Sequence, residues 1–180
     1  MDIPAWLQLL AQLWFLPLTV GLFFHWASRY LQGECAYWLG EKAFSYLTAP
    51  GVIAHELAHA ITCIPFAHRI DELVLFRPDR DGTLGYVKHS YNARNPWAVL
   101  GNGFIGTAPL WSGIILLHFL FAHAFPHLDQ WKQALNHPWT WLWIYLMVAI
   151  GAHMRLSVVD LRGSWVALLL WTLLFGVFLY

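Results

Sequence analysis

The stretch "GVIAHELAHAITCIPF", residues 51–66, sets two histidines and a glutamate inside an otherwise apolar run. On a helix, residues four apart lie one above the other with Cβ atoms about 5–6 Å apart, so His55 and His59 can both reach one metal ion. Glu56, next to the first histidine, does not easily share that coordination but stands close to a water held by the metal. This division of labour makes His-Glu-x-x-His a zinc hydrolase pattern. Zinc lowers the pKa of its water to about 7, and the carboxylate takes the proton and returns it to a leaving amine. The bland alternative is a set of neutral hydrogen bonds between helices. It would require Glu56 to be protonated or paired, and residues 44–67 contain no lysine or arginine to pair with it.

Outward from this motif the composition is that of a membrane protein, with 59% apolar residues, 17% aromatic and 11% charged. The formal net charge is zero and there is no block of basic residues, which argues against a nucleic-acid partner. Cys35 and Cys63 fit neither a disulfide framework nor a Cys-x-x-Cys motif and read as buried bystanders. The first residues, with Asp2 in place of a basic n-region and no small-residue cleavage site, read as a retained helix rather than a signal peptide.

The expected fold is an all-α polytopic membrane protein of about five transmembrane helices, at 5–27, 44–67, 97–125, 139–154 and 164–180, forming a single domain over 1–180. Trp139, Trp141, Trp143 and Trp165 mark the starts of the last two. Arg69, Arg77, Arg80, Lys88 and Arg94 in one loop, with Arg155 and Arg162 in another, place the N-terminus in the cytoplasm. Within 70–91, the apolar runs at Leu73–Phe76 and Leu84–Val87 flank Pro78 and Asp81-Gly82, which reads as a short β-hairpin after the second span. The third span opens on "GNGFIGTAP", residues 101–109. Its glycines serve either close helix packing beside a Pro109 kink or a thinned wall next to a site, with Asn102 pointed into it.

Two histidines and a water leave a tetrahedral catalytic site one protein ligand short. Asp160, in "HMRLSVVDLRGS", is the leading candidate and His153 the second. Ser157-x-x-Asp160 also matches a capping box, in which Asp160 would merely satisfy backbone donors at a helix start. His25, His68, His89, His118, His123, His127 and His137 carry no paired carboxylate motif. His123 and His127 read as a loop-surface pair because Pro126 interrupts the helix between them.

The "HELAH" helix, the hairpin after it and the late "DLRG" together resemble the site-2 protease group of intramembrane zinc metalloproteases, over roughly residues 44–170. That resemblance implies zinc held by His55, His59 and Asp160, water activated by Glu56, and a substrate strand presented by residues 73–87. The chain departs from the family in lacking Asn-x-x-Pro before Leu-Asp-Gly; Asn102 and Pro109 stand on an earlier segment instead. The expected function is a zinc-dependent intramembrane endopeptidase of a bacterial cytoplasmic membrane, with a membrane protein as substrate and Asn102 as a substrate-binding group. The rivals are a zinc hydrolase of a lipid-linked or other non-peptide substrate and a non-catalytic zinc-binding adaptor.

Overall fold

Pro50 and Pro96 each stand in the first turn of a helix, where the missing N–H costs nothing. They open the two helices that carry the site. In this computed structural model, residues 16–79, 82–155, 160, 162, 164–167 and 169–170 are described. The elements in order are α1 (Leu16–Leu39), α2 (Glu41–Leu47), α3 (Ala49–Cys63), β1 (Arg69–Val74), β2 (Tyr86–Ser90), α4 (Pro96–Ala124), a 3-10 turn (Leu128–Gln130), α5 (Trp131–Ala134) and α6 (Pro138–His153). Residues 160, 162, 164–167 and 169–170 are also helical.

Helices α3, α4 and α6 pack on one another pairwise, and the hairpin lies against α3. Three glycines set how closely. A Cβ at Gly51 would run into the Ala149 carbonyl, one at Gly101 into the Phe66 ring, and one at Gly113 into Met154. Phe66 stacks on Phe104 at 5.2 Å and joins Cys63 and Ile105 in the buried core. The close-packing role of the glycine-rich stretch is therefore the one realised at Gly101.

The five-span expectation is overturned. Among the described residues only α4 is long and apolar enough to cross a bilayer, with 29 residues at a mean hydropathy of 1.7, a length of about 44 Å. The second expected span, 44–67, is really three pieces. Helix α2 ends at Leu47, α3 runs for 15 residues, and a turn follows at 64–67. Fifteen residues rise about 22 Å, short of the ~30 Å hydrocarbon core. Helix α6, with 16 residues, is short for the same reason. The first expected span lies partly outside the described residues, and the helix there runs on to Leu39 through Arg29 and Glu34. Residues 171–180 of the fifth also lie outside them. Hydropathy averages over a window and does not register a break by Pro50 or by a turn.

The hairpin forms where it was expected. β1 and β2 pair antiparallel with Leu73 opposite Val87 and a bulge between Ile70 and Glu72. The loop is longer than a two-residue turn, held by Arg77 N–H to the Leu84 carbonyl (2.7 Å) and closed by Gly82 at φ 85°. Across the strands, Lys88 Nζ donates to Glu72 Oε2 at 2.7 Å and the Tyr86 hydroxyl donates to Glu72 Oε1. The hydrogen bonds from Lys88 and then Tyr86 hold the Glu72 carboxyl below its ordinary value of 4.5. A depressed folded-state value contributes stability above the unfolded value and loses it as pH falls through the folded one. Hairpin amides of wild type should therefore exchange progressively faster as pH drops below about 4.5 relative to intrinsic rates. Glu72→Gln should start at that faster relative rate at neutral pH and lack this component of the pH dependence.

Candidate metal centre

His55 and His59 project from one face of α3 with ring centroids 4.9 Å apart and Nε2 atoms 3.2 Å apart. Each ring is held from behind by a main-chain carbonyl. His55 Nδ1 donates to the His153 carbonyl and His59 Nδ1 to the Ile105 carbonyl, both at 2.7 Å. A carbonyl can only accept, so each Nδ1 carries a proton, and in the neutral imidazole each Nε2 then presents a lone pair. Asp160 Oδ1 lies 3.4 Å from His59 Nε2 and Oδ2 3.9 Å from His55 Nε2, with the three side chains largely shielded from solvent. With both imidazoles neutral and the carboxyl ionised, lone pairs from three groups converge. That arrangement repels itself unless a cation sits at its centre. Tetrahedral zinc at about 2.0–2.1 Å from nitrogen and oxygen spaces its ligand atoms about 3.3 Å apart, close to the separations found here, so the residues fit the ion.

The two orienting carbonyls are available for specific reasons. In an α-helix the Ile105 carbonyl would accept from the N–H of residue 109, which is Pro109 and has none. The Pro109 reading as a kink alone misses this: the proline frees the carbonyl that orients His59. His153 is the last residue of α6, where carbonyls have no partner further along the helix. Pro109→Ala should supply a competing N–H to Ile105. Since loss of an outer-shell partner typically costs 10–100-fold in metal affinity, zinc should bind about tenfold or more weakly. The same change removes a proline from a helix interior, so the thermal midpoint of the metal-free protein should rise. Competition with a chromophoric chelator and a metal-free melt check the two opposite signs.

Asp160 reaches the histidines because Gly106 lets its segment touch α4. A Cβ there would meet the Asp160 carbonyl and the Ser164 hydroxyl. Ser164 Oγ also donates to the Asn102 carbonyl at 2.9 Å. His153, the other candidate, is placed differently. Its carbonyl serves His55, while its ring lies against the Gly51 face and its Nε2 is buried with no hydrogen-bond partner among the described residues. Ser157 of the capping-box reading lies outside the described residues.

Glu56 is buried beneath the hairpin, where a Cβ on Gly85 would come within 2.9 Å of Glu56 Cγ. Gly85 is the residue just before β2, so its lack of a side chain lets the loop close over the carboxylate. Asn102 sits about one turn before Ile105 on α4, and the tertiary hydrogen bond it makes is through its main chain. Beside His55 a cavity of ≈ 280 Å³ opens between α3, α4 and α6, lined by apolar groups including Leu57, Pro109, Leu116 and Ile150.

Sequence reading missed the two orienting carbonyls and a second cluster at Cys63, His68 and His89, whose ligand atoms lie within 4.8 Å of one another. Pro109 signals that Ile105 loses a helical donor, but only the packing of α3 on α4 shows what takes its place. Comparison with family models, with curated proteins and with solved structures returns no match.

Proposed function

We propose that the chain is a zinc-dependent endopeptidase that hydrolyses a peptide bond in or next to a membrane-spanning segment of its substrate. The observation that carries this reading is the convergence of His55 Nε2, His59 Nε2 and the Asp160 carboxylate at 3.2–3.9 Å. Zinc bound there supplies a Lewis acid that acidifies water and polarises a carbonyl. Glu56 takes the proton of the attacking water and passes it to the departing amide nitrogen as the C–N bond breaks. The His153 and Ile105 carbonyls hold both imidazoles in one tautomer. Asn102, about one turn before Ile105 on α4, is assigned to holding the substrate backbone. The apolar cavity beside His55 receives a substrate side chain, and the free edge of the two-stranded hairpin offers main-chain groups to an unwound substrate strand.

Placement at a bilayer rests on α4 and on large side chains left outside the core. Ile115 is 63% exposed, Ile64 71% and Trp139 69%, apolar groups that a bilayer would cover. In this reading α4 crosses the bilayer and the shorter α3 and α6 enter it part-way. The protein reconstituted in vesicles should cleave a co-reconstituted single-span peptide carrying a helix-weakening Gly-Pro pair. Chelation should stop cleavage and zinc should restore it. Cleavage that persists at full rate in a metal-stripped sample would overturn the assignment.

A further inference from the structure

We infer that Cys63, His68 and His89 form a second, thiolate-containing metal site, filled by zinc, that fastens the hairpin to the end of α3. Cys63 is the last residue of α3 and is fully buried. The chain then turns so that the His68 N–H donates to the Cys63 carbonyl at 3.1 Å and the Ala67 N–H to the Ile64 carbonyl at 3.3 Å, with Ala67 at φ 57°. These are the two bonds of a Schellman helix end, made here with a non-glycine residue in the left-handed region. Their effect is to fold His68 back beside Cys63. His89 arrives from β2, with its Nδ1 2.9 Å from His68 Nδ1.

The tautomer argument applies again. His68 Nε2 donates to the Ala98 carbonyl at 2.9 Å, so its Nδ1 bears a lone pair facing His89 and Cys63. Tyr91 stacks on the His68 ring at 4.6 Å and fixes its plane. One thiolate and two imidazoles suit zinc and not magnesium or calcium. Their ligand atoms lie within 4.8 Å of one another, so modest side-chain shifts bring them to the ~3.3–3.6 Å that zinc imposes between its ligands. Binding releases the Cys63 thiol proton, the His89 ring proton shifts from Nδ1 to Nε2, and the fourth position is left to water. The cluster sits one helical turn beyond His59, and it joins the motif helix to the strand that follows Gly85. Metal here stiffens the hairpin that covers Glu56 without taking part in hydrolysis.

Cobalt separates the two sites, because only a thiolate ligand gives an intense near-ultraviolet charge-transfer band. The purified full-length protein, stripped with chelator and titrated with Co²⁺, should show that band. It should persist in the His55→Ala/His59→Ala double variant and vanish in Cys63→Ser, which keeps the weak visible absorption of the His55, His59 and Asp160 centre. His89→Gln, folded by circular dichroism, should bind at this site at least tenfold more weakly. Hydrogen exchange on wild type guards against variants that do not fold: zinc should slow exchange of the β1 and β2 amides. A wild type without the band, a band that survives Cys63→Ser and so arises from Cys35, or hairpin exchange indifferent to zinc would each overturn the site. Cleavage plays no part in these readouts, so the second site stands or falls apart from the protease assignment.

Discussion

Glu56→Gln should leave zinc bound and slow cleavage of a single-span substrate by about 10²–10⁴-fold, the usual contribution of a positioned general base. Glutamine matches the carboxylate in shape and fills the same buried space under Gly85, so packing of the hairpin on α3 is retained. It has no basic oxygen to take the proton from water. Glu56→Asp, which withdraws the carboxylate by one methylene, should fall between the two. The check is the initial cleavage rate at saturating zinc, with metal content measured on the same samples. A Glu56→Gln rate within a few-fold of wild type, with its zinc in place, would remove Glu56 from the chemistry.

The second large effect is on metal content. In a Cys63→Ser background, which leaves only the His55, His59 and Asp160 centre, the protein should hold about one zinc per chain. His59→Ala and Asp160→Ala should each lose it through dialysis against a mild chelator, because two protein ligands fall one short of the three that hold a catalytic zinc. His153→Ala should keep it, since His153 touches His55 through a carbonyl that alanine also possesses. Loss in His153→Ala with retention in Asp160→Ala would reassign the third ligand. Retention in all three would return His55 and His59 to ordinary helix packing.

The motif histidines were legible in the sequence because their relationship is local. A spacing of four on a helix puts two side chains on one face whatever the rest of the chain does, and His55 and His59 meet as that rule requires. The hairpin was legible because its runs and turn residues are contiguous, although its loop proved longer than expected. Spans were misread where hydropathy passed over backbone breaks. The apolar run through 44–67 conceals Pro50 and the left-handed turn at Ala67, and both end helices without changing the mean hydropathy.

By itself, then, the sequence determined the paired-histidine face of α3, the glutamate beside it, the hairpin and the long apolar helix α4, all features set by neighbours within a few residues. Tertiary structure alone decided which downstream group faces the histidines. It brought Asp160 to them across more than a hundred residues because Gly106 lets two segments touch. It also turned the gap left by Pro109 into the acceptor for His59, and it gathered Cys63, His68 and His89 from α3, the turn after it and β2. The physical reason is common to all three. Each depends on where two stretches of chain make contact, and that position is set by the packing of side chains distant in sequence rather than by any local preference.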